Sequence, residues 1–465
     1  MATLEQSTAG TPSAFTLIRA PERRTLALGL VLTVTAVAAE ALAVATILPV
    51  VADELQGLAL YGWAFSAFFL GDLVGIVVAG MVVDRRGLVW PYVAGLVLFG
   101  LGLLVGGLAR SMAMLVAGRL VQGLGAGAIP TVAYVAIGRG FPDTARPLMF
   151  AFLSTAWVVP GLLGPGLASV VGATIGWRWV FLGLLPLLML AGLLSVPSLG
   201  RLAVERIGPA AEATLAGRAA LARLGAVLLV AAAAAALLAG LSAASALGAA
   251  LVALGLLVGI PALQRLVPPG TLRARTGLPA TILLRGVQTF AFFGAEAYLP
   301  LTIVSIRHEP PVVAGLALTA ATLAWTAGSW IQARLVGRQG PRRLLAAGLL
   351  CVTLGVALTA SVLSPAVPVA LAIVSWSVTG LGMGLSYSVI SLVVLRAARP
   401  QEQGTLTSSM QLADVLGTAL GAGLGGALVA LGLAEGWEPT TALALAFGIS
   451  VAAAAGGLLL TRRVG

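Results

Sequence analysis

The amino-acid sequence predicts an all-α protein that crosses a membrane many times. Only 9% of its 465 residues are charged and 59% are hydrophobic, whereas a soluble domain carries about 25% charged residues. Apolar stretches of about 20 residues recur along the chain, and each is long enough to cross a hydrocarbon core about 30 Å thick as a helix. Together, these observations predict a polytopic membrane protein.

Fourteen such stretches follow one another. We place the spans at residues 25–51, 60–83, 90–108, 112–138, 148–172, 177–196, 222–241, 243–262, 279–306, 312–336, 343–363, 367–394, 404–431 and 440–461. The single cysteine, Cys351, excludes an intramolecular disulfide, and the single histidine, His308, excludes a histidine-rich metal site. We therefore expect neither a metal nor an organic cofactor.

A repeated pattern divides the chain into two related halves. Gly123–Gly127 (GLGAG) recurs as Gly380–Gly384 (GLGMG), 257 residues later. Ala39–Ala41 (AEA) recurs as Ala295–Ala297 (AEA) at an offset of 256. The pattern pairs spans 1–6 with spans 9–14 and places one acid in an apolar span of each half. Related halves with ionisable groups at their interface are typical of secondary transporters, whose site opens alternately to each side.

The repeat also predicts the domain organisation. Spans 7 and 8 have no counterpart and contain almost no polar residues, so we expect an inserted hairpin that packs against lipid. Segment 200–221 mixes Arg, Glu and Ala, as an amphipathic surface helix does. The predicted segments are a tail (1–24), a six-helix half (25–199), a linker (200–221), the hairpin (222–262), a linker (263–278), a second six-helix half (279–461) and a tail (462–465).

The placement of arginines predicts the orientation. With a cytoplasmic N-terminus, only Arg110, Arg178 and Arg307 lie at the outer side, where the loops instead carry acidic residues. Cytoplasmic loops are enriched in basic residues. We therefore expect a multi-pass protein of the inner (plasma) membrane with both termini in the cytoplasm. The net charge of +11 is distributed over short loops and does not indicate nucleic-acid binding.

The loop between spans 2 and 3 contains Gly80, Asp84, Arg85 and Gly87 in the spacing G-x-x-x-D-R-x-G. Gly80 is expected to allow close helix contact and Gly87 a tight turn. Asp84 is placed to cap a helix N-terminus of the other half near residues 403–405, where the helix dipole favours an anion. The alternative is a charged loop that reflects topology alone.

These features resemble the major facilitator superfamily, whose loop signature the four residues match. The superfamily signature R-x-x-Q-G-x-G-A in the fourth span is matched by Arg119, Gln122, Gly123, Gly125 and Ala126. The antiporter signature in the fifth span is matched in part, by Gly161, Gly164, Pro165 and Gly166. With fourteen spans, the chain is most similar to the fourteen-helix drug:proton antiporter branch. The resemblance implies a transporter rather than an enzyme, driven by a proton gradient.

Arg119 lies within a span, where an unpaired charge costs about 3 kcal/mol. It therefore needs a partner, and Glu40 is best placed by depth. The resemblance implies that this arginine takes part in proton movement; the alternative is a structural ion pair that locks helices 1 and 4. Trp376 occupies the equivalent position of the second half, so we expect only the first half to supply a functional arginine.

Four acids lie within spans: Glu40, Asp72, Glu296 and Asp414. Burial disfavours the ionised form of a carboxyl group and so favours proton exchange near neutrality. We expect the repeat-related Glu40 and Glu296 to face one cavity from opposite halves, with Asp72 and Asp414 as further candidates for proton coupling. The alternative for each is an acid that packs against a neighbouring helix through a hydrogen bond.

Aromatic and amide side chains within the spans are candidates for the wall of a substrate cavity. A few polar groups in an apolar cavity favour broad recognition of organic molecules. The candidates are Gln122, Tyr134, Trp157, Gln288, Tyr298, Trp325, Tyr387 and Gln411. Each is alternatively a packing residue or an interfacial anchor. Pro165, between Gly164 and Gly166, lacks a backbone donor and is expected to bend helix 5.

The leading functional hypothesis is proton-coupled export of amphipathic, often cationic organic compounds by alternating access, as in multidrug efflux and antibiotic resistance. Its partners are a small-molecule substrate, protons and the lipid bilayer, and we expect a monomer to suffice. The alternative is export of a lipid or hydrophobic natural product. A membrane enzyme or sensor is the remote alternative, because the sequence shows no nucleophile–base constellation, phosphate-binding loop or metal-ligand spacing.

Overall fold

The computed structural model describes residue 18 and residues 21–142, 145–203, 213–243, 245–397 and 403–464. Within these ranges the secondary structure is helical, without strands, and fourteen helices are long and apolar enough to cross a membrane. The fold class and the number of spans are therefore confirmed. The helices are α1 Pro21–Glu54, α2 Tyr61–Arg86, α3 Val89–Gly107, α4 Met112–Gly140, α5 Arg146–Thr174, α6 Leu185–Ala203, α7 Ala213–Leu241, α8 Ala246–Gln264, α9 Leu278–Glu296, α10 Pro311–Gln339, α11 Pro341–Ser361, α12 Ala370–Ala397, α13 Gln403–Ala434 and α14 Pro439–Leu460.

Two spans differ from the uninterrupted helices that the sequence predicts. The sixth span begins with a separate turn, Arg178–Leu182, before α6. The ninth breaks after Glu296, where a short turn, Leu299–Leu301, leads into a π-helical turn, Thr302–Ile306. Pro300 has no N–H for the helical ladder, and π-turns are frequent at functional sites. Glu296 thus lies at a helix end rather than in mid-helix.

Glycines set the packing of both halves in the same way. A Cβ on Gly123 or Gly127 of α4 would collide with the backbone of α2. A Cβ on Gly380 or Gly384 of α12 would collide in the same manner with the backbone of α10. Small residues of this kind allow close backbone approach between membrane helices. The glycine repeat therefore corresponds to equivalent helix contacts.

A shared turn extends the repeat. Gly87 follows α2 and Gly340 follows α10, and both have φ 77°, a conformation that glycine adopts without the steric cost a Cβ imposes. The two halves share helix packing and turn geometry. Their superposition about an axis along the membrane normal stays a prediction.

Helix pairs α2–α13 and α5–α10 join the halves. Ser66 of α2 donates a hydrogen bond to the Ala419 carbonyl at 2.9 Å. Nearer the end where α1 connects to α2, the Tyr61 hydroxyl donates to the Ala297 carbonyl at 2.9 Å, and its ring lies 5.6 Å from that of Tyr298. These contacts hold the halves together at this end of the bundle.

The hairpin of α7 and α8 lies along the α2–α13 seam. Val227 and Val230 of α7 join a buried cluster with Leu73 of α2 and Leu416 of α13. Helix α8 packs mainly on α7 and leaves Leu257 largely uncovered by protein. In segment 200–221, the described residues continue α6 and begin α7, and residues 204–212 lie outside the described ranges.

Candidate functional site

A buried ion pair lies in the first half. Arg119 Nη1 binds Glu40 Oε1 and donates to Gln122 Oε1 at 2.8 Å. Its Nε donates to the Ala64 carbonyl at 3.0 Å, and its Cζ lies 4.1 Å from the centroid of the Phe68 ring. The charged side chains are 3% and 0% exposed. One guanidinium therefore ties α1, α2 and α4 together. Its ion-pair partner is Glu40, as predicted from the depth of Glu40 in its span.

The pair is enclosed but incompletely satisfied. Glu40 Oε2 and Gln122 Nε2 are buried and have no hydrogen-bond partner among the described residues. An unsatisfied buried polar atom costs about 1–3 kcal/mol. A rearrangement that gives these two atoms hydrogen-bond partners is therefore favoured. Glu40 is 0% exposed, so its carboxyl group has no contact with solvent in this arrangement.

The second half also contains a buried arginine. Arg285 of α9 is 2% exposed, its Nη2 donates to Ser391 Oγ at 2.6 Å, and its Cζ lies 3.5 Å from the centroid of the Tyr387 ring. The Tyr387 hydroxyl donates to Asp414 Oδ2 at 2.7 Å. Buried arginines are therefore present in both halves, and the expectation that only the first half supplies a functional one stays a prediction. It considered the α12 position of Trp376, whereas this guanidinium enters from α9.

One carboxyl group from each half lies within range of an electrostatic interaction with the other. Asp72 of α2 and Asp414 of α13 interact electrostatically, and Arg285 acts on Asp414 in the same way. We call Arg285, Tyr387, Asp414 and Asp72 the interface cluster. Its α2 and α13 members lie on helices that join the halves.

Aromatic rings flank the interface cluster. The Trp325 ring lies 5.3 Å from Tyr387 and 5.4 Å from Phe292, which in turn stacks on Trp376 at 5.2 Å. Trp376 is fully buried, whereas Trp325 and Tyr387 are partly exposed. Aromatic faces attract organic cations. The rings therefore form an apolar wall beside the interface cluster.

Three predicted cavity residues are instead enclosed between helices. Gln122 is committed to Arg119, and Gln288 donates to Ser386 at 2.6 Å. Tyr298 is fully buried and donates to the Ala422 carbonyl. Each side chain therefore has one hydrogen-bonded polar atom, whereas Gln122 Nε2 and Gln288 Oε1 have no partner among the described residues. Their placement favours the packing alternative.

The remaining cavity candidates have accessible surface. Tyr134 and Trp157 are 45% and 47% exposed, and Trp325, Tyr387 and Gln411 are partly exposed. Contact of these side chains with a substrate stays a prediction.

Glu296 lies on the same face of α9 as the buried arginine. Arg285, Gln288, Phe292 and Glu296 are spaced by three and four residues, which aligns them on one helix face. Glu296 is about 16 Å along the helix from Arg285, and its Oε2 is buried without a partner among the described residues. This spacing is the signal in the sequence by which Arg285 could have been found.

The conformational motifs are partly described. An added Cβ on Gly80 or Gly166 would meet no described atom within 4 Å, so the close contact predicted for Gly80 is absent from this part of the structure. Gly164 lies only in ordinary contact distance of α1, and Pro165 lies inside an unbroken α5 against Gly315 of α10. The side chains of Asp84, Arg85 and residues 403–405 lie outside the described residues, and their predicted contact stays a prediction.

The fold and the interface cluster define a membrane transporter with ionisable groups between two related halves. Residues 26–262 and 281–465 match the family model of the Major Facilitator Superfamily, and the chain belongs to this family. It is thus a secondary transporter rather than an enzyme. Its fourteen candidate membrane helices are consistent with the fourteen-helix branch.

Relatives and solved structures agree with this assignment. The "Probable multidrug-efflux transporter Rv1634" of Mycobacterium tuberculosis is 29% identical over 429 residues, covering 88% of each chain. The "Multidrug transporter protein MdtP" of Bacillus subtilis is 25% identical over 414 residues, covering 88% of this chain and 75% of the relative. A solved "auto inhibited POT family peptide transporter" shares the fold with a TM-score of 0.66 at 15% identity, covering 94% and 97% of the two chains.

Proposed function

We propose that this protein exports amphipathic, often cationic organic compounds in exchange for protons, by alternating access. The observation that carries the proposal is the interface cluster, where Asp414 accepts a hydrogen bond from Tyr387 at 2.7 Å and interacts electrostatically with Asp72 of the other half. The similarity to transporters named for multidrug efflux supports the same substrate class.

In the proposed mechanism, cation and proton compete for the interface cluster. An organic cation lies against Trp325 and Tyr387 and is balanced by the carboxylates, while Arg285 limits how many negative charges the site holds. Proton binding neutralises the carboxylates and releases the cation. Inward proton flow supplies about 2.3 kcal/mol per 100 mV for each charge that crosses.

The buried pair of the first half has a separate part in this proposal. Glu40 and Arg119 tie α1, α2 and α4 in the enclosed arrangement. Opening of the pair frees Glu40 to take a proton and frees α1 to move relative to α4. We propose that this step links proton entry to rocking of the halves in the plasma membrane, with both termini cytoplasmic and one chain sufficient.

The test is drug-induced proton release from the purified protein and proton-driven export in proteoliposomes. Asp414→Asn is expected to abolish proton release, and Tyr387→Phe, which removes the hydrogen bond to Asp414, to reduce it severalfold. Tyr92→Phe is the matched control, because Tyr92 is a buried tyrosine bonded to Thr33 and Ser195 in the first half. It should retain release.

Full proton release and export by Asp414→Asn would overturn the proposal. Transport of a neutral lipid by the wild type without proton release would instead identify the alternative, a lipid or hydrophobic-product exporter.

A further inference from the structure

An apolar groove opens between the hairpin and the second half. It has a volume of about 500 Å³ and lies between the end of α8 and helices α9, α13 and α14. Its wall contains Val267, Phe290, Leu416 and Gly456, among other side chains without charge. An added Cβ on Gly456 would meet no described atom within 4 Å, so the groove has free space at that point.

Exposed arginines surround one end of this groove. Arg265 follows α8, Arg273 and Arg275 lie in the turn before α9, and Arg462 and Arg463 follow α14. The two turns are joined, because Gly277 N–H donates to the Arg463 carbonyl at 2.8 Å and Arg463 donates to the Ala274 carbonyl at 3.1 Å. Within the described ranges, no carboxylate forms an ion pair with any of the five.

The dimensions of the groove match one leaflet of a bilayer. Along α14 the groove extends from Leu460, two residues before Arg462, to Ala453. The rise from Arg463 to Ala453 is about 15 Å. A hydrocarbon core is about 30 Å thick. With the arginines at the headgroup level, the inner end of the groove therefore lies at about half the thickness of the hydrocarbon core, and its lining side chains are uncharged.

We propose that this groove binds an anionic phospholipid of the leaflet that faces the cytoplasm. One acyl chain lies in the groove between α8, α9 and α14, and the phosphate lies between Arg273, Arg275 and the arginines after α14. Apolar walls alone would accept any lipid, whereas five cations without carboxylate partners select a negative headgroup. The lipid thereby bridges the hairpin and the second half, a role that differs from transport of a substrate at the interface cluster.

The test measures lipid retention by the purified full-length protein. Phosphatidylglycerol and phosphatidylcholine with identical acyl chains are titrated in detergent, and bound lipid is counted by native mass spectrometry. The wild type is expected to retain phosphatidylglycerol preferentially. Arg273→Gln combined with Arg275→Gln should lower its affinity by about 25-fold, at about fivefold for each arginine near the membrane surface.

Two matched controls separate the site from general effects. Gly456→Leu fills the groove and should abolish preferential retention, whereas Gly448→Leu, on the same helix and equally free of neighbours within 4 Å, should not. Arg342→Gln with Arg343→Gln removes two exposed arginines at the start of α11 and should leave retention unchanged.

Equal retention of both lipids by the wild type would overturn the proposal, as would wild-type retention by Gly456→Leu. Equal loss in the Arg342 and Arg343 control would also overturn it, because general surface charge would then explain the binding. Proton-driven export does not enter this readout, so the lipid site and the proposed transport function fail independently.

Discussion

Replacement of Glu40 by Gln tests whether the buried pair of the first half is a working switch. The variant removes the negative charge beside the Arg119 guanidinium, which is 3% exposed, and leaves it with uncharged partners: the introduced amide, Gln122, the Ala64 carbonyl and the Phe68 ring. Removal of one partner from a buried ion pair costs about 3–5 kcal/mol, because the other charge stays buried and uncompensated. We expect a large loss of stability and loss of proton-driven export, with substrate binding retained.

The chain offers an exposed pair as a matched control. Arg178 Nη1 lies 2.6 Å from Glu54 Oε1, and the side chains of Glu54 and Arg178 are 50% and 40% exposed. Glu54→Gln should therefore lower the free energy of unfolding by no more than about 1 kcal/mol. Stability is measured as the unfolding transition in detergent, and coupling as drug-induced proton release. A double variant, Glu40→Gln with Arg119→Gln, removes both charges and should recover much of the lost stability.

The reasoning is refuted if Glu40→Gln is no less stable than Glu54→Gln and still releases protons on drug binding. Loss of stability with full proton release would make the pair a structural lock between helices 1 and 4, the alternative that the sequence left open.

Three further predictions concern other parts of the chain. Glu296→Gln should weaken binding of cationic ligands more than of neutral ligands of similar size, as measured by ligand-induced thermal stabilisation; equal effects would argue against a charge contact. Gly127→Ala should destabilise the protein by about 1–3 kcal/mol, because its Cβ would lie about 2.9 Å from Asp72 Oδ1 and closer to the Asp72 carbonyl, whereas Gly448→Ala should be tolerated. Asp84→Asn should slow export severalfold at normal membrane expression, and an unchanged export rate would reduce the loop motif to a topology signal.

Local patterns in the sequence determined the membrane spans, the two related halves and one buried ion pair of this protein. Hydrophobic length predicted the fourteen spans, because every membrane helix must satisfy its backbone hydrogen bonds internally and be apolar over the thickness of the bilayer. The glycine repeat predicted two related halves, and its glycines make equivalent contacts in α4 and α12, since only residues without a large side chain allow that approach. The cost of an unpaired charge led from Arg119 to Glu40, now seen as a bonded pair.

Only the tertiary structure decided which polar groups act together. The interface cluster draws Arg285, Tyr387 and Asp414 from three helices of the second half, α9, α12 and α13, and Asp72 from the first. The repeat could not predict this, because the equivalent of Arg119 is Trp376 and the arginine enters from another helix. Likewise, nothing in the composition of the spans separates Tyr298, enclosed between helices, from the partly exposed Tyr387. Depth in the membrane is set by position along a helix and is readable from sequence, whereas the direction of a side chain depends on how each helix is rotated and packed against its neighbours.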